Sequence, residues 1–220
     1  ITEGLVGSEM CIRDRIFRGL LFISSLLMAI YSYTQVGLIV THALMAVFPL
    51  LTVLLSAVFL KEEITKIKLV AVGVGFLGVI IIINPINLQF SLVSFLPLIS
   101  AVTFAIYAVL TRKVASTDNT ETSFFWVSLV SAIAITIPSP SFYKPIQFSD
   151  IYFLILLCMF SLVGHFLLTN AYRHAEASVL QPFSYFHLFF ASLVGIILSQ
   201  DPLTISTIAG GGLNVYGGIL

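Results

Sequence analysis

Long apolar blocks alternate along this chain with short clusters of charged or turn-forming residues. From Ile16 to Leu60 there are 45 residues with no charge except Arg18. A helix needs about 20 mostly apolar residues to cross the hydrocarbon core of a bilayer. That block therefore predicts two spans, divided near Gln35-Val36-Gly37. Further spans are predicted at 67–83, 92–111, 122–137, 151–172, 177–199 and 203–220, which makes eight. Their separators are Lys61-Glu62-Glu63, Asn84-Pro85, 112–121, 138–150, Arg173-His174-Ala175-Glu176 and Gln200-Asp201-Pro202. The blocks are uniformly apolar and rich in Leu, Ile and Phe, whereas barrel strands alternate with period two over about ten residues.

Composition narrows the class. Hydrophobic residues make up 59% of the 220 and charged residues 9%, against about 25% charged in soluble domains. Mean hydropathy is +1.09. This excludes a disordered chain and an ordinary soluble enzyme. Ten basic residues balance ten acidic ones, so no net charge points to nucleic acid. The two cysteines, Cys11 and Cys158, cannot build a disulfide framework, and no metal cluster or cofactor motif is present. The expected fold is all-α, a polytopic membrane helical bundle.

Residues 1–15 differ from the rest and hold five of the twenty charges. The stretch from Leu5 to Arg15, LVGSEMCIRDR, resembles the conceptual translation of a transposase adapter used for short-read sequencing libraries. Residues 1–15 are accordingly expected to be non-native, with genuine sequence from near Ile16.

Charge placement orients the spans. With the eight spans in order, Arg13, Arg15, Arg18, Lys61, Lys66, Lys68, Arg112, Lys113 and Arg173 fall on one side and only Lys144 on the other. Basic loops remain cytoplasmic, so a bacterial-type inner membrane with these loops inside is expected.

An offset of 139 residues aligns the chain with itself without a gap: Tyr33 with Tyr172, Val40 with Val179, Leu54 with Leu193, Glu62 with Asp201, Thr65 with Thr204, Gly73 with Gly212 and Gly78 with Gly217. Loops that are basic in one copy are neutral in the other. Related segments inserted in opposite senses have this property, a mark of secondary transporters. Spans one to three match spans six to eight, and spans four and five open the second copy. Two helices of the first copy are then expected ahead of residue 16.

With these residues in place, the chain resembles the EamA branch of the drug/metabolite transporter superfamily. The stretches that carry the resemblance are LISAVTFAIYAVLTRKVA (98–115), LTNAYRHAEASVLQPFSYFHLFFASLVGIILSQD (168–201), and LLTVLLSAVFLKEEIT followed by GVGFLGVIIII within 50–83. The resemblance implies ten helices in two five-helix inverted EamA repeats. Residues 16–85 would be the last three helices of the first repeat, and 92–220 the five of the second. It also implies an acidic residue after the long helix, a place filled by Glu62 or Glu63 and, in the second copy, by Asp201. The implied cavity is lined by spans one, two, four, six and seven.

No Asp, Glu, Lys or Arg lies mid-span, so the candidates for chemistry are uncharged. His165 shares a helix face with Ser161 and Thr169, and its alternative role is a packing hydrogen bond between helices. Span seven presents Gln181, Ser184, Tyr185, Leu188, Ser192 and Gly195 as one stripe. Span four presents Ser100, Thr103, Tyr107 and Thr111, and span one presents Ser24, Met28, Tyr31 and Gln35. His42 lies near an end of span two. His187, off the Gln181–Tyr185 side, reads as a packing residue. The expected cavity-lining set is Tyr31, Gln35, His42, Thr103, Tyr107, Ser161, His165, Thr169, Gln181 and Tyr185. Such hydroxyl, amide and aromatic groups suit an amphipathic or aromatic solute. Gly73, Gly78, Gly212 and Gly217 read as positions of close helix approach, and Pro49 and Pro182 as kinks.

The expected function is secondary transport of small organic metabolites or drug-like solutes by alternating access. There is no nucleotide-binding GxxxxGK[ST] motif. The partners are then a small-molecule substrate and the lipid bilayer, with no nucleic acid; a homodimer is compatible with the sequence but not specified by it. The alternatives are a non-transport assembly subunit and an intramembrane enzyme. The second would need a base oriented by an acid beside a nucleophile, and Ser161 with His165 lacks the acid, so the chain is not expected to be an enzyme.

Overall fold

The computed structural model describes residues 2–63, 65–83, 92–115, 118–142, 145–199 and 204–219. The separators Asn84-Pro85 and Gln200-Asp201-Pro202, Lys144, and the side chains of Pro182, Tyr185, Leu188 and Ser192 lie outside the described residues. Apart from short turns and loops, the described residues are helical: α1 (Thr2–Val36), α2 (Leu38–Met45), α3 (Phe48–Leu60), α4 (Lys66–Ile83), α5 (Leu96–Val114), α6 (Thr120–Thr136), α7 (Ile151–His174), α8 (Ala177–Val194) and α9 (Ile205–Ile219). A π-helical turn, Gly195–Ser199, continues α8. Among the described residues, Ile12–Val36, Leu38–Leu60, Leu96–Val114 and Phe148–His174 are long and apolar enough to cross a membrane, and α6 is a shorter apolar helix.

The helix boundaries have local causes. Gly37 adopts φ 86 between α1 and α2, a conformation that glycine reaches without steric cost. The expected second span is two helices, because Pro49 sits in the first turn of α3. Its ring clashes with the carbonyl four residues back and it donates no hydrogen bond. Asn119 caps α6, accepting the Thr122 N–H at 2.8 Å, with Glu121 in the first turn. At the C-terminus of α7, Arg112 Nη1 donates to the Tyr172 carbonyl at 2.8 Å. The Glu62 carboxylate accepts the N–H groups of Ala177 and Ser178 at 3.3 and 3.4 Å, which ties the α3–α4 loop to the start of α8.

The chain forms two compact units. The first comprises residues 1–23 and 110–175. In it Gly19 lets α1 and α6 touch: a Cβ there would lie 2.6 Å from that of Val130. Ser131 Oγ donates to the Gly19 carbonyl at 3.1 Å. The same approach buries Arg18 completely, and its Nη1 donates to Ser123 Oγ at 2.8 Å. Arg15 forms a two-pronged pair with Asp118 at 2.6 and 3.0 Å and lies over the Trp126 ring. Most of α7 presents exposed apolar side chains such as Phe153, Leu157 and Phe160, a surface suited to lipid.

The second unit comprises residues 24–109 and 176–220. Its core gathers Ala43, Leu44, Val47, Leu50, Val72, Val79 and Ala101. Ser25 and Ser100 exchange hydrogen bonds with each other's carbonyls at 2.9 and 2.8 Å, joining α1 to α5. The tightest crossing is α4 on α9, with backbones in direct contact. A Cβ on Gly78 would overlap the Gly210 carbonyl oxygen, and one on Gly217 would lie 2.6 Å from the Ala71 carbonyl oxygen. The 139-residue offset carries Gly78 onto Gly217 and Gly210 onto Ala71, so one contact is the image of the other. Gly75 faces Asn214, and the same offset exchanges those two positions. The contact is self-complementary, as at a two-fold interface.

Not every glycine of the aligned set serves this crossing. Gly73 and Gly212 have nothing within 4 Å of where a Cβ would sit. That corrects the expectation of close approach at these two positions, since they point away from the seam. Gly78→Ala should therefore lower the melting temperature of the purified protein markedly, while Gly73→Ala leaves it unchanged or raises it slightly through helix propensity, by up to about 1 kcal/mol. Thermal unfolding in detergent, followed by native-tryptophan fluorescence, checks both.

Candidate functional site

Three helices of the second unit bring one aromatic and imidazole cluster together. Tyr33 extends from α1, His42 from α2 and His187 from α8. The His42 ring lies 5.1 Å from the Tyr33 ring and 4.5 Å from that of His187, edge-on to the latter. His42 is 7% exposed, Tyr33 is half-buried and His187 is exposed. The break between Gly37 and Pro49 produces this placement, because it isolates α2 as a short helix beside α8. Ionisable side chains within spans are costly and in general mark solute or ion pathways. Imidazole can both donate and accept a hydrogen bond, so the cluster presents polar edges and π faces together.

Gln181, six residues before His187 on α8, is also buried. Its Nε2 donates to the Ala177 carbonyl at 2.8 Å, and its Oε1 is buried without a hydrogen-bond partner among the described residues. The 139-residue offset aligns His42 with Gln181, so two buried polar side chains occupy equivalent positions in the matched segments. Nearby in the same unit, Phe48, Phe104 and Tyr107 form an aromatic run with centroid spacings of 5.1 and 5.6 Å. Tyr107 is fully buried. Thr103 Oγ1 donates to the carbonyls of Ile99 and Ser100 on its own helix. Tyr31 and Gln35 are exposed, and the Gln35 amide contacts Thr34. Tyr185 lies outside the described side chains.

The remaining expected residues belong to the first unit. His165 stacks on Phe22 with ring centroids 4.4 Å apart and 24° between planes, and Phe124 packs against it at 5.8 Å. Thr169 is buried and donates to the His165 carbonyl at 2.9 Å. Ser161 is exposed. His165 is thus held between the rings of Phe22 and Phe124, a packing contact of a different kind from the inter-helix hydrogen bond considered for it.

His187, expected to be a packing residue off the Gln181 side of α8, makes its ring contact with His42 of α2. Arg18, counted from the sequence among the basic residues of the cytoplasmic side, is fully buried against Ser123. The residue just after it, Gly19, was the available clue, since a glycine admits the neighbouring helix. Among the described residues no group of three or more His, Cys, Asp and Glu side chains could hold a metal ion.

His165→Phe should keep the stack and the melting temperature, while His165→Ala should lower it, since an aromatic pair contributes about 0.5–1.5 kcal/mol beyond its buried area. Equal melting temperatures for the two variants in detergent would remove the packing role.

With this geometry in place, comparison with known proteins gives a consistent result. The sequence profile described as the EamA-like transporter family matches residues 13–84 and 91–220. A riboflavin transporter of Brucella anthropi is 29% identical over 160 residues, covering 70% of this chain and 56% of that protein. A pseudopaline exporter of Pseudomonas aeruginosa is 26% identical over 214 residues, covering 96% of this chain and 75% of the exporter. An S-adenosylmethionine uptake transporter of Rickettsia felis is 25% identical, covering 85% of this chain and 64% of that protein. The chain spans little more than half the length of the riboflavin transporter it matches.

Proposed function

This chain belongs to the EamA-like transporter family, and from that premise we propose that it is an integral membrane secondary transporter moving a small organic solute by alternating access. The observation that carries the reading is the buried His42 ring held between Tyr33 and His187 on three helices of one unit. Tyr33, His42, His187 and Gln181 form the polar part of the solute site, and Phe48, Phe104 and Tyr107 supply apolar surface. The solute is an organic metabolite of the kind named for the relatives: riboflavin, S-adenosylmethionine or pseudopaline.

The architecture that serves this function is eight spans of a ten-helix protein, arranged as two inverted repeats with the basic loops cytoplasmic. The self-complementary α4–α9 crossing supports it, since a contact carried onto itself by the sequence offset is what an internal two-fold axis produces. The capping of α7 by Arg112 also supports it, because it puts the basic ends of α5 and α7 together.

The full-length parent, reconstituted in liposomes, should show saturable flux of a member of a labelled panel that includes riboflavin and S-adenosylmethionine. His42→Ala and Gln181→Ala should cut that flux by about tenfold or more, the loss expected for one well-formed buried hydrogen bond or two. No flux across a broad panel would end the transport reading. The topology has its own check: cysteines replacing Lys61 and Arg173 should react with an impermeant maleimide from the same face of the membrane.

A further inference from the structure

We propose that Asn214, in the last helix, is a positioning residue for the histidine pair, because it supplies the hydrogen bond that the broken second span lacks. This rests on the transport reading for its functional meaning, but not for its geometry.

The break itself creates the need. In an unbroken helix the Ala43 carbonyl would accept the N–H of Val47. Here the Val47 N–H turns to the Leu44 carbonyl at 3.4 Å, and the Ala46 N–H bonds to His42 at 2.9 Å. The Ala43 carbonyl instead receives Asn214 Nδ2 at 3.0 Å from α9. Asn214 is fully buried, and so is Ala43. Within a membrane a backbone carbonyl freed by a helix break must find a donor inside the protein. Asn214 is that donor, and the residue next to the carbonyl it holds is His42.

The position is specific. The equivalent of Asn214 under the 139-residue offset is Gly75, and the two face each other across the α4–α9 seam. There is room for one side chain there, because a Cβ on Gly75 would overlap Leu50. The seam therefore carries a polar side chain on one helix of the pair and hydrogen on the other. Asn214 Oδ1 points back at Gly75 and Gly78 and is buried without a hydrogen-bond partner among the described residues. This is costly for an amide, so the bond its Nδ2 makes to the Ala43 carbonyl is the favourable contact of this side chain. The groups that meet the His42 ring are Tyr33 of α1 and His187 of α8, so an α2 released from Asn214 changes both contacts.

The test needs no solute. Protein labelled with 15N-histidine in detergent micelles reports the Nδ1–H and Nε2–H tautomers of each ring. Asn214→Gly, which copies the residue at the equivalent position, should change the tautomer ratio of His42 by at least about twofold and shift the His187 ring signals, with His165 and His174 unmoved. A folded Asn214→Gly protein whose His42 and His187 signals match the parent overturns the proposal. If Asn214→Gly does not fold, Pro49→Ala is added, which restores an N–H and lets residues 38–60 run as one helix in which Val47 serves Ala43. Recovery of folding in that pair supports the proposal, and continued misfolding overturns it. Because the readout is spectroscopic, absence of flux in the transport assay leaves this result standing.

Discussion

A backbone N–H or carbonyl that meets hydrocarbon without a partner costs several kcal/mol, and the second unit is arranged around one place where the helix cannot supply its own. Pro49 interrupts the second span, α2 stops at Met45, and the Ala43 carbonyl is served from another helix by Asn214. That bond requires α9 to lie close to α2, which requires α9 to press on α4, which requires glycine at positions 78 and 210. The short helix that carries His42 is thus tied to α9 at the Ala43 carbonyl. The same constraint acts at the helix ends, where Arg112 serves the last carbonyls of α7 and Glu62 the first amides of α8.

Several polar groups join helices: Ser25 and Ser100 bond reciprocally, and Ser131 reaches the Gly19 carbonyl. Hydroxyls that bond a carbonyl four residues back, as Thr41 and Thr52 do, are satisfied within their own helix and can face lipid or a neighbour at little cost. The atoms left over are more informative. Gln181 Oε1 and Asn214 Oδ1 are buried acceptors without partners among the described residues, and both lie in the unit that holds the histidine pair.

Much of the fold was legible in the sequence because its causes are local. The division at Gly37 follows from a glycine between two apolar runs, and the helix ends at Lys61, Val114 and His174 coincide with charge. The effect of Pro49 was legible too, although a kink understates it: the span becomes two helices. What periodicity could not supply is which face meets which helix. Gly73 and Gly78 look alike in sequence, yet one lies open and the other is pressed against a backbone. His165 drew attention because hydroxyls share its face, but its neighbours are Phe22 and Phe124, which come from other helices. His187 had no such company on its own helix, and its partner His42 lies 145 residues away in sequence.

On the proposed repeat, the pattern of likeness and difference between the halves has a physical sense. Two mated glycines are alike: Gly78 and Gly217 are both pressed on backbone. Two mated positions that carry polar side chains differ: His42 answers to Gln181, and Gly75 to Asn214. A crossing can be two-fold symmetric because two antiparallel helices are interchangeable. A small organic solute has no such symmetry, and its donors and acceptors must be met by unlike groups. The seam can stay symmetric while the groups beside it diverge, because backbone contact depends on side-chain size at the glycines and recognition depends on hydrogen-bonding type elsewhere. Asn214 stands where the two demands meet: it occupies the seam, yet its amide acts on the segment that holds His42.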